Sequence, residues 1–350
     1  MDVRRVHLHA APCLRTVILD VCSTNVTSIE LPAQVVHLTV DCRRSSWTSP
    51  PVMNITGMDA VQRLTLQLNG DTSSILKYIT KKRGAMKIDL CLDLYNIAPA
   101  KMDCVAKMIC VLGSIAMFGK ADMLQKLQLT YSDKPSYVDF AGRLPSVLSV
   151  CRDLLSLRLE VPYAIGLCDI LSSVGRDLVH LAEFILCVKE STAIIDATMV
   201  APCTLFTTGA LRGVSLDFCG IDLTDEAVAF MVDVAVRRST CNHRNQTTLK
   251  VEGSSVGAHA LDALSTSTAL LGCKFSFYNY RLDHLTTYIV CRANTAVCTS
   301  NLRQLHFRES QPSCNKMCLL LCSTNTAVCT SNSDRCIFGN HNVELRETGF

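Results

Sequence analysis

A short apolar spacing, L-x-x-L-x-L, recurs along this chain and restricts what it can fold into. Its clearest copy is Leu211, Val214 and Leu216. Successive side chains of a strand point to opposite faces, so Val214 and Leu216 share one face and Ser215 and Asp217 the other. Leu211 sits just upstream and turns inward from the loop. A turn follows, and Thr224-Asp225-Glu226 then opens a helix. Thr224 is placed to cap it, and the two acids meet the positive end of the helix dipole. Ala227, Val228, Phe230, Met231, Val234 and Ala235 keep a helical period, and Arg237 and Arg238 fall at the C-terminal end that favours cations. The strand spacing then returns as Gln246, Leu249 and Val251. One strand and one helix cannot bury their apolar faces alone, but stacked copies can.

The spacing occurs eleven times. The earlier copies are Leu14/Val17/Leu19, Val35/Leu38/Val40, Val61/Leu64/Leu66, a looser Ile88/Leu90/Leu92, Leu124/Leu127/Leu129, Leu154/Leu157/Leu159 and Leu181/Phe184/Leu186. The last two are Leu270/Cys273/Phe275 and Leu302/Leu305/Phe307. From residue 124 onward the copies start 24 to 35 residues apart, which suits one strand plus one helix per repeat. The gaps predict helices over Ser74–Lys82, Lys101–Phe118, Tyr137–Cys151, Tyr163–Leu178, Ala193–Phe206, Thr224–Arg238, Val256–Leu270 and Leu282–Ala293. Lys101–Phe118 is apolar nearly all round, which predicts deep burial or an extra helix. Ser45–Pro51 reads as an irregular loop. The octapeptide NTAVCTSN stands at Asn294–Asn301 and again at Asn325–Asn332, an offset of 31 residues. That offset maps Leu302, Leu305 and Phe307 onto Ser333, Cys336 and Phe338, a repeat that has lost its first apolar residue, as a terminal cap can. The chain is thus expected to be one solenoid over 1–350, with divergent repeats over 1–120, regular ones over 121–310 and a duplicated, degraded cap over 311–350.

Composition bears on the class. Apolar residues make up 49% and charged residues 19%, which excludes wholesale disorder, and the net charge of +3 gives no reason to expect nucleic acid. A chain of 350 residues exceeds a single compact core, a limit that a solenoid escapes. The 20 cysteines include Cys104, Cys110, Cys168, Cys187 and Cys291 inside apolar patterns, which suits free thiols used as small hydrophobes in a reducing compartment. Arg15 and Asp20 interrupt any secretory signal, and no apolar run reaches membrane-spanning length. The sequons at Asn25, Asn54 and Asn245 then read as chance, and the expectation is a cytoplasmic chain without membrane contact.

The run LRGVSLDFCGIDLTDEAVAFM resembles the leucine-rich repeats of the ribonuclease-inhibitor-like subtype, whose consensus is L-x-x-L-x-L-x-x-C/N-x-L-T/G followed by an acid-started helix. TTLKVEGSSVGAHALDALSTS looks like the same pattern, with Val256-Gly257 before its helix. The likeness is good over 211–310, weaker over 120–210 and poor over 1–120. It implies a right-handed α/β solenoid, a horseshoe with a concave parallel β-sheet and outer helices. Such repeats occur in ribonuclease inhibitor, in the sensor ends of NLR proteins and in F-box proteins.

In that arrangement the polar strand residues face the concave side. They are His37, Asp41, Arg63, Gln67, Lys126, Gln128, Arg158, Glu160, Asp217, Lys250, Glu252, Lys274, His306 and Arg308. Long side chains of both signs suit a protein or peptide ligand. The plain alternative is a solvated sheet face. Cys314, Cys318 and Cys322 share a helix face with Cys329 and Cys336 nearby, but a single helical run closes a tetrahedral zinc site poorly, and Cys241 with His243 has no second pair. Neither G-x-x-x-x-G-K-[ST], nor G-x-S-x-G, nor H-E-x-x-H occurs, and no local signature selects a Cys–His nucleophile. The expectation is therefore a non-catalytic scaffold without metal or cofactor. Leu31-Pro32 with Cys42-Arg43-Arg44 and Trp47 resembles the two ends of an F-box, although the separation is too short for three helices. It raises the alternative of a ubiquitin-ligase substrate receptor that would dock a ligase scaffold; a piece of a larger NLR-type sensor is a further one.

Overall fold

A computed structural model describes residues 5–7, 13–20, 28–41, 54–69, 86–94, 99–114, 124–131, 140–189, 194–207, 210–218, 221–241, 245–252, 259, 263, 273–278, 306–308, 327–328, 335–338 and 341–344. They belong to two compact units, Met1–Leu186 with Thr208–Leu211, and Cys187–Thr207 with Arg212–Phe350. The architecture is α/β, built on parallel strands with helices between them.

The first unit opens with β1 (Arg5–His7), β2 (Thr16–Asp20), β3 (Ser28–Glu30), β4 (His37–Asp41), β5 (Asn54–Thr56), β6 (Arg63–Asn69) and β7 (Lys87–Asp93). Helix α1 (Pro99–Ser114), β8 (Leu124–Thr130), α2 (Leu144–Ser149), β9 (Ser156–Val161), α3 (Leu167–Asp177) and β10 (Glu183–Val188) follow, with the division between units falling inside β10. The strand order is β2-β4-β6-β7-β8-β9-β10, and every pairing from β2 to β9 is parallel. Leu38, Leu64, Ile88, Leu127 and Leu157, with Val40, Leu66, Leu90, Leu129 and Leu159 two residues on, are each 2% exposed or less. Complete burial of one such side chain stabilises by roughly 1.5–3 kcal/mol. Val35, Val61, Leu154 and Leu181, the upstream residues of the spacing, are also buried just before their strands.

The first strands differ from the later ones. Strands β1, β3 and β5 form a separate three-stranded parallel sheet, with Val6, Ile29 and Ile55 in one register column. Here β2, β4 and β6 alternate along the chain with strands of a second sheet, whereas from β7 to β10 helices lie between successive strands. Three-residue strands carry too little periodicity to be read from sequence. Gly57 turns the chain after β5 with φ 78, in the left-handed region, and a Cβ there would collide with the Leu31 carbonyl oxygen.

Over the stretch for which deep burial or an extra helix is expected, the structure has a single helix, α1, buried on one side. Met102, Val105, Ala106, Ile109 and Leu112 are buried at helical spacing, while Cys104, Lys107 and Val111 are exposed. Its composition is apolar, but only one side is covered. It packs against α2, which packs against α3. Gly113 sets the approach of the first pair: a Cβ there would stand 2.6 Å from Cys151 Sγ and 3.2 Å from the Val150 carbonyl oxygen. Tyr131 and Phe140 close the base of this layer with ring centroids 5.6 Å apart.

The second unit contains α4 (Ala197–Val200), a 3-10 turn at Ala201–Thr207, β11 (Gly213–Phe218), α5 (Asp225–Cys241), β12 (Gln246–Glu252), β13 (Cys273–Tyr278) and β14 (His306–Arg308). Strands β11 to β14 pair in parallel in that order. The helix predicted over Ala193–Phe206 is divided. Asp196 caps α4 by accepting from the Thr198 and Met199 N–H groups at 2.9 and 3.1 Å. Pro202 then lacks the N–H that would continue an α-helix, and a tighter turn takes over. Thr224 caps α5 as predicted, its hydroxyl accepting the Ala227 N–H at 3.2 Å.

The end of α5 departs from the sequence reading. Helix α5 runs on to Cys241, and only Arg237 is a surface cation, paired with Asp233 at 2.6 Å. Arg238 is fully buried. Its Nη1 donates to the Phe206 carbonyl, its Nε to Thr247 Oγ1 at 3.2 Å and its Nη2 weakly to the Arg212 carbonyl at 3.4 Å. The Asn245 side chain donates back to the Arg238 carbonyl at 3.0 Å. One guanidinium thus ties α5 to the 3-10 turn, β12 and the entry of β11.

A third sheet, antiparallel, of β15 (Ala327–Val328), β16 (Arg335–Phe338) and β17 (His341–Glu344) closes the described chain. Cys336 and Phe338, which the 31-residue offset assigns to a repeat strand, lie in β16, which pairs antiparallel with both β15 and β17. The helix predicted over Ser74–Lys82, that over Leu282–Ala293 and the loop Ser45–Pro51 lie outside the described residues. Of Val256–Leu270, only His259 and Ala263 are described, and both are helical.

Two substitutions test this packing. Arg238→Met keeps the bulk but removes the buried donors to the Phe206 carbonyl and the Thr247 hydroxyl, and is expected to cost on the order of 3 kcal/mol in urea unfolding. A loss under 1 kcal/mol would deny the staple its role. Gly113→Ala improves helix propensity by about 1 kcal/mol, yet is expected to lower stability by about 1–2 kcal/mol because Cys151 has to move. A gain in stability would show that α1 and α2 have room to separate.

Candidate functional site

The alternation that buries one face of each strand leaves the other face polar. Register then decides which polar groups meet. In the first unit His37 stands beside Arg63, and Arg63 beside Lys87. Thr39, Thr65, Asp89, Lys126 and Ser156 form the next row, and Asp41, Gln67, Cys91, Gln128 and Arg158 the one after. Asp93, Thr130 and Glu160 form a fourth. In the second unit Asp217, Lys250, Ser276 and His306 share one row, Glu252, Tyr278 and Arg308 another, and Lys274 neighbours Thr248. All fourteen sequence-predicted residues therefore occupy the polar register of their strands. His37, Lys126 and Arg158 are exposed, while Asp41, Arg63, Gln67, Gln128, Glu160, Asp217 and Lys250 are half-buried.

The sequence candidates include no residue of β7, which contributes Lys87, Asp89, Cys91 and Asp93 to this face from between the members of a looser apolar spacing. The alternation of KIDLCLD was the signal available. Asp89 is the most sheltered of them, only 9% exposed. The register of β7 and β8 shifts just before it, where Gln125 forms a buried bulge and brings Lys126 opposite Asp89.

Ion pairs cross the face. Arg63 Nε donates to Asp89 Oδ2 at 3.0 Å, Lys250 Nζ to Asp217 Oδ2 at 3.2 Å, and Arg158 Nη2 lies 2.7 Å from Glu160 Oε1. In each pair the carboxylate is the sheltered partner and the cation the outer one, with acids 12–18% and bases 41–46% exposed. Half-exposed pairs of this kind contribute about 0–1 kcal/mol to stability. Ser156 donates to Glu183 at 3.0 Å, and Cys91 Sγ lies 3.8 Å from Gln128 Oε1.

Cys13, Cys91, Cys104, Cys110, Cys151, Cys168, Cys187, Cys203 and Cys241 form no disulfide, but they do not all serve as buried hydrophobes. Cys104 and Cys168 are exposed on α1 and α3, and Cys110 and Cys187 are half-buried. Cys151 and Cys203 are buried. Burial pushes the Cys203 thiol up to about 12, a rise that the nearby Arg238 charge opposes. Burial, then the neighbouring Cys110, push the Cys151 thiol up to about 12. Cys91, on the polar face, is half-buried beside Gln128. Cys314, Cys318, Cys322, Cys329 and His243 lie outside the described residues, and among the described ones no group of three or more His, Cys, Asp or Glu side chains could hold a metal ion. Among the same residues no helix is long and apolar enough to cross a membrane.

A raised thiol pKa removes the reactive thiolate below that pKa, leaving about one thiolate in ten thousand at pH 8 for a group near 12. Native alkylation at pH 8 is therefore expected to label Cys13, Cys104, Cys168 and Cys241 within minutes and to leave Cys151 and Cys203 unmodified until the chain unfolds, as read by peptide mass spectrometry. Early labelling of Cys203 would contradict its burial behind Arg238. No family profile matches the chain, and no curated protein matches it.

Proposed function

We propose that the chain is a solenoid of leucine-rich repeats, of the ribonuclease-inhibitor-like kind, that recognises a protein partner without catalysis. In this reading the parallel sheet is the concave wall of a right-handed horseshoe, and its polar face receives the ligand. One observation carries it: across successive parallel strands, apolar residues are buried in register on one side while long charged and amide side chains stand in register on the other. A face of this kind offers complementary charge around fixed backbone positions, which favours specificity and fast association with a protein or peptide. The ligase-receptor reading has no independent support, because Leu31 and Pro32 are buried between β3 and β4 rather than on an adaptor helix.

The test is capture of interacting proteins by the intact chain and by a variant carrying Arg158→Glu, Lys250→Glu and Lys274→Glu together. Proteins enriched by the parent at physiological salt are expected to fall at least tenfold with the variant, whose melting temperature should shift by only a few degrees, as expected for surface substitutions. Capture unchanged by the triple reversal would show that the polar face is not the binding surface.

A further inference from the structure

The polar face of the first unit contains two acceptors that the fold does not use. Asp89 Oδ1 and Gln67 Oε1 are both shielded from solvent, and neither has a hydrogen-bond partner among the described residues. The other Asp89 oxygen accepts from Arg63. Gln67 lies opposite Cys91, two residues along β7 from Asp89, so the two acceptors belong to adjacent strands one diagonal step apart. Strand geometry puts their Cα atoms ~8 Å from each other on the same side of the sheet. A buried acceptor left unpaired opposes folding, and native proteins retain few of them. Two together on a solvent-facing sheet are explained if a ligand supplies the donors.

The surroundings select the donor. Arg63 is already bonded to Asp89, and Lys126 stands opposite it in register. Two cations beside one sheltered carboxylate make a third unwelcome, which disfavours a lysine or arginine anchor. A carboxylate would instead meet Asp89 and the unpaired Gln67 oxygen with no donor to either. A carboxamide fits both conditions. It is neutral, its NH2 group has two donor hydrogens for two acceptors, and its carbonyl oxygen can accept from Lys126. We infer that the juxtaposed Asp89 Oδ1 and Gln67 Oε1 form a subsite for an asparagine or glutamine side chain of the protein partner.

This inference rests on the proposed binding role of the sheet face, and one experiment separates the two. A random dodecapeptide library displayed on phage is panned against the intact chain, and the selected peptides are re-measured on Asp89→Ala, on Gln67→Ala and on the Arg158/Lys250/Lys274 reversal. Selection of peptides with a fixed Asn or Gln is expected, with affinity falling at least tenfold on Asp89→Ala and about threefold or more on Gln67→Ala. Exchanging the selected Asn or Gln for Leu should lose as much on the intact chain and nothing further on Asp89→Ala. Peptides fixed instead at an acidic or basic residue, or binding Asp89→Ala unchanged while losing affinity on the triple reversal, would overturn the subsite and leave the face as the binding surface. Failure to select any peptide, or peptides indifferent to every variant, would overturn both. Circular dichroism melts of the two alanine variants show that each is folded before its affinity is read.

Discussion

Register is the constraint from which the rest of this structure follows. In a strand that buries alternate residues, a slip by one position would expose every core side chain and bury every charged one. Leu38, Leu64 and Ile88 occupy one register column, Val40, Leu66, Leu90, Leu127 and Leu157 the next, and Leu68, Leu92, Leu129 and Leu159 a third. Each strand therefore fixes its neighbour's position as well as its own. The same lock that aligns the leucines aligns Asp41, Gln67, Cys91, Gln128 and Arg158 on the opposite side. The polar face is ordered because the apolar face has no alternative. Even the irregularity between β7 and β8 respects this rule: the bulge at Gln125 shifts β8 by a residue, after which Leu127 and Leu129 fall into the core columns of Leu90 and Leu92.

The strands were legible in the sequence because their signal repeats. Each of the eleven L-x-x-L-x-L copies corresponds to a strand of the parallel arrangement, and the upstream apolar residue is a buried loop anchor at Val35, Val61, Leu154 and Leu181. What stayed hidden was non-periodic or non-local. Strands β1, β3 and β5 are three residues long, below the length at which alternation means anything. Helix α1 has apolar residues on all sides, so composition could not say which side packs; Val111 is exposed and Ile109 is not. Arg238 looked like an ordinary cation at a helix end. Its burial depends on carbonyls at Phe206 and Arg212, 32 and 26 residues away, which no local pattern reveals. The candidate face was legible in its residue types but not in its depths, and the buried Asp89 sits in the least regular copy of the spacing.

Arg238 also shows how this α/β unit tolerates a charge in its interior. A guanidinium taken out of water is costly unless its donors are satisfied. Here backbone carbonyls and the Thr247 hydroxyl receive them, and Asn245 returns a bond to the arginine's own carbonyl. The Phe206 carbonyl, in the 3-10 turn, takes one of these donors, and the Arg212 carbonyl is shared between Arg238 and the Gln246 N–H, which bonds it at 2.7 Å. A single long side chain with several N–H groups answers several of these acceptors at once, which an apolar residue of the same volume cannot do.

The polar face obeys a different economy. Its ion pairs are half-exposed and add little to stability, so folding does not require them. Their arrangement is nonetheless uniform: Asp89, Glu160 and Asp217 lie low, and Arg63, Arg158 and Lys250 extend over them. On the proposed reading, a ligand reaching this face meets cations before it meets acceptors. The outer layer would then set how fast a partner arrives and how salt affects it, since charges at this exposure are screened within about 8 Å at physiological ionic strength. The inner layer would set which partner stays, because sheltered acceptors distinguish a donor from an apolar or acidic group far more sharply than exposed ones do.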